Sequence, residues 1–141
     1  MSAEENKAMH RRLMEEAFSQ GNMDVVDEIV APDYVHHFPD DPEGGVRGPE
    51  GMKELMGSFR SAFPDIEGII EDQVAEEAKM VMRYTARGTH EGELQGIPPT
   101  GRRVTVMGVV MSRSAGGKMV ESWELYDNLG MMRQLGLAPE Q

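Results

Sequence analysis

The chain carries, at residues 117–127, the segment GKMVESWELYD, which contains its single tryptophan. Polar and apolar side chains alternate there, as in a β-strand whose successive side chains point to opposite faces. One face of this strand would hold Met119, Glu121, Trp123, Leu125 and Asp127. Apolar bulk together with two acids is more typical of a reactive pocket than of a closed core. We therefore expect this face to line a cavity that the rest of the chain encloses.

Three further alternating runs precede this segment, at residues 66–75, 79–90 and 102–113, and turn residues separate them. The third run is largely apolar on both faces, so we expect one face to contact another subunit. The thirteen methionines of the chain suit an adaptable ligand cavity as well as an ordinary core. From the second and third runs we assign to the cavity Met82, Tyr84, Met107 and Met111, with His90 closing an inward face.

The first part of the chain has helical periodicity. A capping box of Ser2 and Glu5 begins a helix that Gly21 ends. Asn22 is expected to cap a second helix, and Pro49 to be the first residue of a third. Helices followed by antiparallel strands predict an α+β fold, in which a curved, mostly antiparallel sheet wraps over about three N-terminal helices.

Three connecting or terminal segments complete this prediction. Residues 39–45 are rich in Pro, Gly and Asp and are expected to form a mobile rim, and residues 91–101 a long hairpin loop. Residues 129–135 are expected to form a short final helix that ends at Gly136. Because no linker interrupts the chain, we expect one domain that spans residues 1–141.

Composition excludes several classes of function. The net charge of −11 argues against binding to nucleic acid, which requires clustered basic residues. The absence of cysteine excludes disulfides and thiol catalysis. The four histidines lack the spacing of a metal site, so we expect no metal or cofactor. With no membrane-length apolar run and no leader, we expect a soluble, cytoplasmic protein.

Five segments, in order along the chain, resemble the SnoaL-like polyketide cyclases of the NTF2-like superfamily. They are YVHH (34–37), GTH (88–90), GIPPTG (96–101), WELYD (123–127) and QLG (134–136). The resemblance covers nearly the whole chain and implies a cone-shaped α+β barrel, commonly dimeric or tetrameric. It also implies that a polyketide ring is closed by intramolecular aldol condensation, without metal or cofactor.

The resemblance implies roles for individual residues. In the family an aspartate near the end of the last strand is the acid/base, and Asp127 occupies that position here. The family has a cavity histidine on the preceding strand, where this chain has Arg113. We expect His90 or His37 to give the hydrogen bond that this histidine would give. The motif favours His37 over His36 as the inward-facing member of the pair.

Each of these side chains also has a purely structural alternative. Asp127 stands where a strand gives way to a helix, which is the place of a capping aspartate. Trp123 suits the core as well as a wall on which a substrate stacks. His90 would serve equally to anchor a loop, and Glu121 would serve as the partner of an arginine.

The sequence thus predicts a cofactor-independent cyclase for a small, apolar, carbonyl-containing molecule, working as a homodimer or homotetramer. The predicted catalytic side chains are Asp127, Arg113 and His90, and those that line the site include His37, Trp123 and Glu121. The same scaffold would also suit an isomerase, a dehydratase, an epoxide hydrolase or a binding module without catalysis.

Overall fold

Six strands form one curved sheet in this computed structural model, which describes residues 1–39, 41 and 44–137. The strands are β1 (Val30–His37), β2 (Val46–Arg47), β3 (Glu67–Ala75), β4 (Lys79–Thr89), β5 (Arg103–Ala115) and β6 (Lys118–Tyr126). Their order across the sheet is β2-β1-β6-β5-β4-β3. Strand β1 runs parallel to β6, whereas the other neighbouring pairs are antiparallel.

The four alternating runs predicted as strands are confirmed as β3 to β6, with ends that differ by at most two residues. Strand β1 was not predicted, because its partner β6 lies far away in sequence and no local signal indicates the pairing. Pro32 lacks an N–H group, and the pairing of β1 with β6 shifts register between Val30 and Val35. Of the rim predicted at residues 39–45, Asp40, Pro42 and Glu43 lie outside the described residues.

The helices cover the concave face of the sheet. They are α1 (Ala3–Arg12), α2 (Asp24–Ile29), α3 (Gly48–Ala62) and α4 (Asn128–Gln134), and α1 continues as a π-helical segment, Leu13–Ser19. The capping box of Ser2 and Glu5 is confirmed, and Pro49 lies in the first turn of α3. The expected cap at Asn22 is wrong, because α2 begins after Met23 and has no side-chain cap.

The helices are tied to one another and to the sheet by buried contacts. The Arg60 guanidinium of α3 donates to the carbonyl oxygens of Phe18 and Ser19, at 2.8 and 2.9 Å, at the end of the π-helical segment. These carbonyls would otherwise lack partners at a helix end. Between the helices and the sheet lies a core that includes Ala17, Val26, Tyr34, Phe63, Ile66 and Leu135. No helix within the described ranges is long and apolar enough to cross a membrane.

A β-bulge in β6 decides which of its side chains face the helices. Arg113 pairs with Glu121, but the next residue of β5, Ser114, pairs with Met119, so Val120 is an extra residue in β6. An extra residue interrupts the strict alternation of the strand. Met119 and Ser122 are therefore both buried on the concave side, although their positions differ in parity.

Candidate active site

The concave face of the sheet and the helices enclose a cavity of about 140 Å³. Its wall is mostly apolar, as is usual in sites for small organic ligands. Helical and sheet side chains both contribute, including Met14, Phe18, Met56, Phe59, Met82 and Val110. A few polar groups interrupt this wall, and most of them are joined by hydrogen bonds.

Glu124 of β6 places a carboxylate in this apolar wall. Its Oε1 atom accepts a hydrogen bond from Nε2 of His36 at 2.8 Å, and its Oε2 atom accepts one from the hydroxyl of Tyr84. Only 15% of the Glu124 side chain and 5% of the His36 side chain are exposed. Hydrogen bonds to an ionised carboxylate are stronger than neutral ones. The two donors therefore hold the carboxylate in one place, away from bulk water.

A glycine lets Tyr84 reach this carboxylate. Tyr84 on β4 lies opposite Gly108 on β5, and β5 separates β4 from β6 in the sheet. A Cβ atom at Gly108 would overlap the ring and hydroxyl of Tyr84. The ring can thus lie across β5 and bring its hydroxyl to Glu124 only because residue 108 lacks a side chain.

The hydrogen bonds continue away from Glu124 along the concave face. The Tyr34 hydroxyl lies 2.7 Å from Nδ1 of His36. When the His36 ring is neutral, Nε2 carries its hydrogen toward the carboxylate, so Nδ1 accepts from Tyr34. Tyr34, His36 and Glu124 then form one directed series that ends at the acid. The Ser122 and Ser112 hydroxyls, also on the concave face, lie 2.7 Å apart.

Both tyrosines in this network stay protonated well above neutral pH. Burial, followed by the nearby charge of Glu124, raises the pKa of Tyr84 far above its usual value. Burial raises the pKa of Tyr34 as well. Removal from water disfavours the charged phenolate, as expected of a buried phenol. Each hydroxyl is therefore available as a hydrogen-bond donor over the whole physiological range.

Arg87 also contributes to the cavity wall. The residue is exposed, however, and its Nη2 atom lies 2.7 Å from a carboxylate oxygen of Glu67. A paired arginine exerts a weaker attraction on an anionic ligand than a free one does. Across the described part of the chain, no group of three or more His, Cys, Asp or Glu side chains is arranged to hold a metal ion.

The structure confirms that Met82 and Tyr84 face the cavity, as the alternation of β4 predicts. The predicted inward face of β6 is wrong beyond Met119. The bulge at Val120 places Glu121, Trp123 and Leu125 on the convex side of the sheet, which faces away from the helices. The side chains that face inward are instead Ser122, Glu124 and Tyr126.

The outward residues of β6 form a cluster with two other predicted site residues. Glu121 accepts a hydrogen bond from His37 at 2.8 Å and one from Arg113 at 3.3 Å. The His37 ring stacks on Trp123, with ring centroids 5.6 Å apart. The hydrogen bond from His37 is the main cause that lowers the pKa of Glu121. None of these four side chains lines the cavity, so the structure does not bring them to Glu124.

Met107 and Met111 are also misplaced by the sequence analysis. Both lie on the convex face of β5, where 56% and 42% of their surfaces are exposed. Both faces of β5 are apolar, so its pattern alone does not say which face meets the helices. The inward residues of this strand include Val104, Val106, Val110 and Ser112.

The structure supports helix capping, the structural alternative for Asp127. Its Oδ1 atom accepts a hydrogen bond from the backbone N–H of Gly130 at 2.8 Å, so it caps α4. The residue is exposed and does not line the cavity. The prediction that it points into the cavity is wrong, because the alternation of β6 turns it outward and the chain then enters a helix.

His90 is fully buried but does not line the cavity. Its Nδ1 atom lies 3.0 Å from the Thr100 hydroxyl, and its ring lies against Phe63. The backbones of His90 and Gly101 are also hydrogen-bonded. These contacts close the loop 91–101 at its base, so the structure supports the loop-anchoring alternative.

Sequence reasoning missed Glu124 and His36. Each is the neighbour of a residue that was chosen, Trp123 and His37. Glu124 shares its face of β6 with Ser122 and Tyr126 rather than with Trp123. His36 required knowledge that β1 is a strand whose inward face begins at Tyr34.

Comparisons with known proteins agree with this geometry. Residues 8–135 match the model of the family described as SnoaL-like polyketide cyclase. The chain is 35% identical over 125 residues to nogalonic acid methyl ester cyclase of Streptomyces nogalater, covering 87% of this chain and 92% of that protein. It is 31% identical over 126 residues to aklanonic acid methyl ester cyclase DnrD of Streptomyces peucetius, covering 89% and 87%.

A solved structure gives the same result. The crystal structure of IdmH from Streptomyces antibioticus superimposes with a TM-score of 0.80 at 36% identity, covering 92% of this chain and 97% of that one. The fold and the sequence similarity over most of the chain therefore agree. This chain belongs to the SnoaL-like polyketide cyclase family.

Proposed function

We propose that the chain closes a ring in a polyketide ester by intramolecular aldol condensation, with Glu124 as the acid/base. One observation carries this proposal: a carboxylate held by two donors inside an apolar cavity. A carbon acid loses its proton most readily to a fixed base that water does not solvate, provided that donors stabilise the enolate that forms. Both requirements are met around Glu124.

The reaction would use Glu124 twice. In the first step its carboxylate takes a proton from a carbon that lies beside a carbonyl group, and the electron pair moves to the carbonyl oxygen. The enolate carbon then attacks a ketone in the same molecule, and the ketone oxygen becomes an alkoxide. The protonated Glu124 returns its proton to that alkoxide. Bonds and protons balance within one substrate, so no external reactant is required.

Tyr84 and His36 would support both steps. Each donates to Glu124 in the structure and would share its hydrogen with the developing oxyanion once the carboxylate is protonated. In ketosteroid isomerase a carboxylate likewise removes a proton from carbon beside donors that hold the enolate oxygen.

An ester is the form of substrate that this cavity favours. Two relatives are named as cyclases of methyl esters. A free carboxylate would meet an apolar wall and the charge of Glu124, while Arg87 is already paired. A C–H bond beside an ester is also much more acidic than one beside a carboxylate. Both effects predict that the free acid of a given substrate reacts far more slowly.

We further infer that two copies associate through the convex face of the sheet. Six large apolar side chains on this face are between 39% and 64% exposed: Val81, Met107, Val109, Met111, Trp123 and Leu125. They lie on three adjacent strands, β4, β5 and β6, and so form one continuous patch. Contiguous apolar patches of this kind usually mark a contact with another protein. A second copy offers the same apolar patch, as a symmetric homodimer requires.

The proposed mechanism is tested by replacing two acidic residues near the end of β6, each in a separate variant. We would measure turnover of nogalonic acid methyl ester and aklanonic acid methyl ester by the wild type, Glu124→Gln and Asp127→Asn. Glu124→Gln should reduce kcat by at least about a hundredfold, because the transferable proton is lost. Asp127→Asn should leave kcat unchanged, since asparagine also caps helices. Loss of turnover in Asp127→Asn with an active Glu124→Gln would overturn the proposal.

A further inference from the structure

His10 is a buried histidine that the proposed reaction does not use. It lies on α1, has 3% of its surface exposed and forms part of the cavity wall. Its Nδ1 atom lies 2.9 Å from the backbone carbonyl oxygen of Asn6, one helical turn earlier. A carbonyl oxygen only accepts, so Nδ1 carries a hydrogen. Nε2 is on the far side of the ring, and it has no hydrogen-bond partner among the described residues.

The charge state of His10 follows from its surroundings. Burial is the main effect, and it lowers the pKa of His10 below the usual value for histidine. The ring is therefore neutral at physiological pH, with its hydrogen on Nδ1 and a lone pair on Nε2. A buried acceptor without a partner costs free energy. A ligand that donates a hydrogen bond to Nε2 would remove this cost.

His10, Ser112 and Ser122 are all buried and line the cavity, and we call the part of the cavity that they bound its closed end. The start of α1 is fixed beside this end, because the Asn6 side chain donates to the carbonyl oxygen of Glu76 in the β3–β4 turn, at 3.1 Å. Glu124 lies two residues beyond Ser122 along β6, which corresponds to about 7 Å.

The serine pair at the closed end also has unused acceptor capacity. The Ser112 and Ser122 hydroxyls lie 2.7 Å apart, so one of them donates to the other. Lone pairs remain on both oxygens. The closed end therefore offers acceptors, and the chemical group that complements it is a hydroxyl.

We propose that His10 Nε2 forms a second polar subsite in the cavity, which binds a phenolic or enolic hydroxyl of the substrate and sets how far the molecule enters the cavity. A ring system anchored there would extend through the apolar region toward Glu124. The distance from the anchoring hydroxyl to the reacting carbon would then decide which substrates react. Only the last point rests on the proposed function; binding of a hydroxyl does not.

The subsite is tested with two probes of nearly equal size, 2-naphthol and 2-methylnaphthalene, titrated by fluorescence against the wild type and His10→Phe. Phenylalanine keeps a ring of similar volume but removes the acceptor. The preference is the dissociation constant of 2-methylnaphthalene divided by that of 2-naphthol. It should fall by about threefold to tenfold in His10→Phe, as expected for one neutral hydrogen bond. His10→Gln, which retains an acceptor oxygen, should recover part of the preference. His37→Phe, on the convex face, is the matched control and should change nothing.

Nitrogen-15 NMR of the histidine rings gives a second measurement that does not depend on the stability of a variant. In the wild type, the unprotonated Nε2 resonance of His10 should move when 2-naphthol binds and stay in place with 2-methylnaphthalene. The subsite would be overturned if wild type and His10→Phe showed an equal preference for 2-naphthol. It would also be overturned if the His10 resonance did not shift when 2-naphthol binds. The latter result would indicate that a trapped water already occupies Nε2.

The two proposals can fail separately. Glu124→Gln should bind 2-naphthol with the same preference as the wild type, because Glu124 lies outside the closed end. If Glu124→Gln still cyclises the methyl esters while the preference persists, the acid/base role fails and the subsite stands. If the preference is absent while Glu124→Gln is inactive, the subsite fails and the acid/base role stands.

Discussion

Trp123 and Glu124 are consecutive residues that serve opposite faces of the sheet: the indole stacks on His37 outside, and the carboxylate bonds to His36 inside. The parallel pairing of β1 with β6 explains this symmetry, since His36 lies beside Ser122 and His37 beside Trp123. Strands β1 and β6 therefore carry two histidine–acid pairs, one on each face of the sheet. Only the inner pair lies against the cavity, which is why the acid/base role is proposed for Glu124.

Gly108→Ala should impair catalysis without touching the acid itself. The new methyl group would displace the Tyr84 ring, so the hydroxyl would lose its bond to Glu124. We expect kcat to fall about as much as in Tyr84→Phe, roughly a hundredfold to a thousandfold, which is the range for loss of one donor to a developing oxyanion. Gly57→Ala is the control, since no atom lies within 4 Å of the added carbon. Full activity of Gly108→Ala would remove Tyr84 from the mechanism.

Asp127→Ala should lower stability rather than activity. The carboxylate caps α4, whose Met131 is buried in the core. Loss of a capping acceptor costs about 1 kcal/mol in the free energy of unfolding. Chemical denaturation should show this loss for alanine and a much smaller one for asparagine. Equal stability of all three proteins would contradict the capping role.

Leu125→Lys should dissociate the proposed dimer. Leu125 is 64% exposed on the convex face, so a lysine is tolerated by the isolated subunit but would place a charge in the apolar interface. Sedimentation velocity at micromolar concentration should show a dimer for the wild type and a monomer for the variant. Leu129→Lys provides the control, because Leu129 is similarly exposed at 53% but lies on α4. A monomeric wild type would refute the interface.

His10 should make the protein sensitive to acid. Its folded-state pKa is lowered by burial, so between that value and the unfolded pKa of about 6.5 the unfolded chain binds more protons than the folded one. The contribution of His10 to stability is thus complete above pH 6.5 and is lost as pH falls below it. The free energy of unfolding of the wild type, minus that of His10→Phe, should therefore decrease as the pH is lowered from 7.5 to 5. A constant difference would show that His10 does not titrate on unfolding.

Most of the fold was predictable because its signals are local. Capping residues, prolines, glycines and alternation located three of the four helices closely and four of the six strands. Strand β1 was missed because it forms only when β6 lies alongside it. Family resemblance supplied the way in which the sheet curves around the helices.

The site was less predictable, because its residues depend on register. Tyr84 and Met82 follow from alternation within β4, which is regular opposite β5. Glu124 and Asp127 are three positions apart, so regular alternation places them on opposite faces of the strand. The sequence of β6 does not reveal that Val120 is an extra residue, and so does not show which of the two faces is inward. The inward set of a strand reverses with a one-residue shift, so this single unknown exchanged Glu124 for Trp123 and Glu121.

The bulge at Val120 also has a consequence for how the gene can change. Removing this one codon would leave Met119 opposite Ser114 and Glu121 opposite Arg113, in an unbroken ladder with the same residues inside. Gain or loss of a codon between 122 and 124 would instead turn the following part of the strand over, so that Glu124 is lost from the cavity or Trp123 faces it. Deletion of a residue is thus tolerated at position 120 of β6, whereas a change in length at the positions that follow disrupts the site.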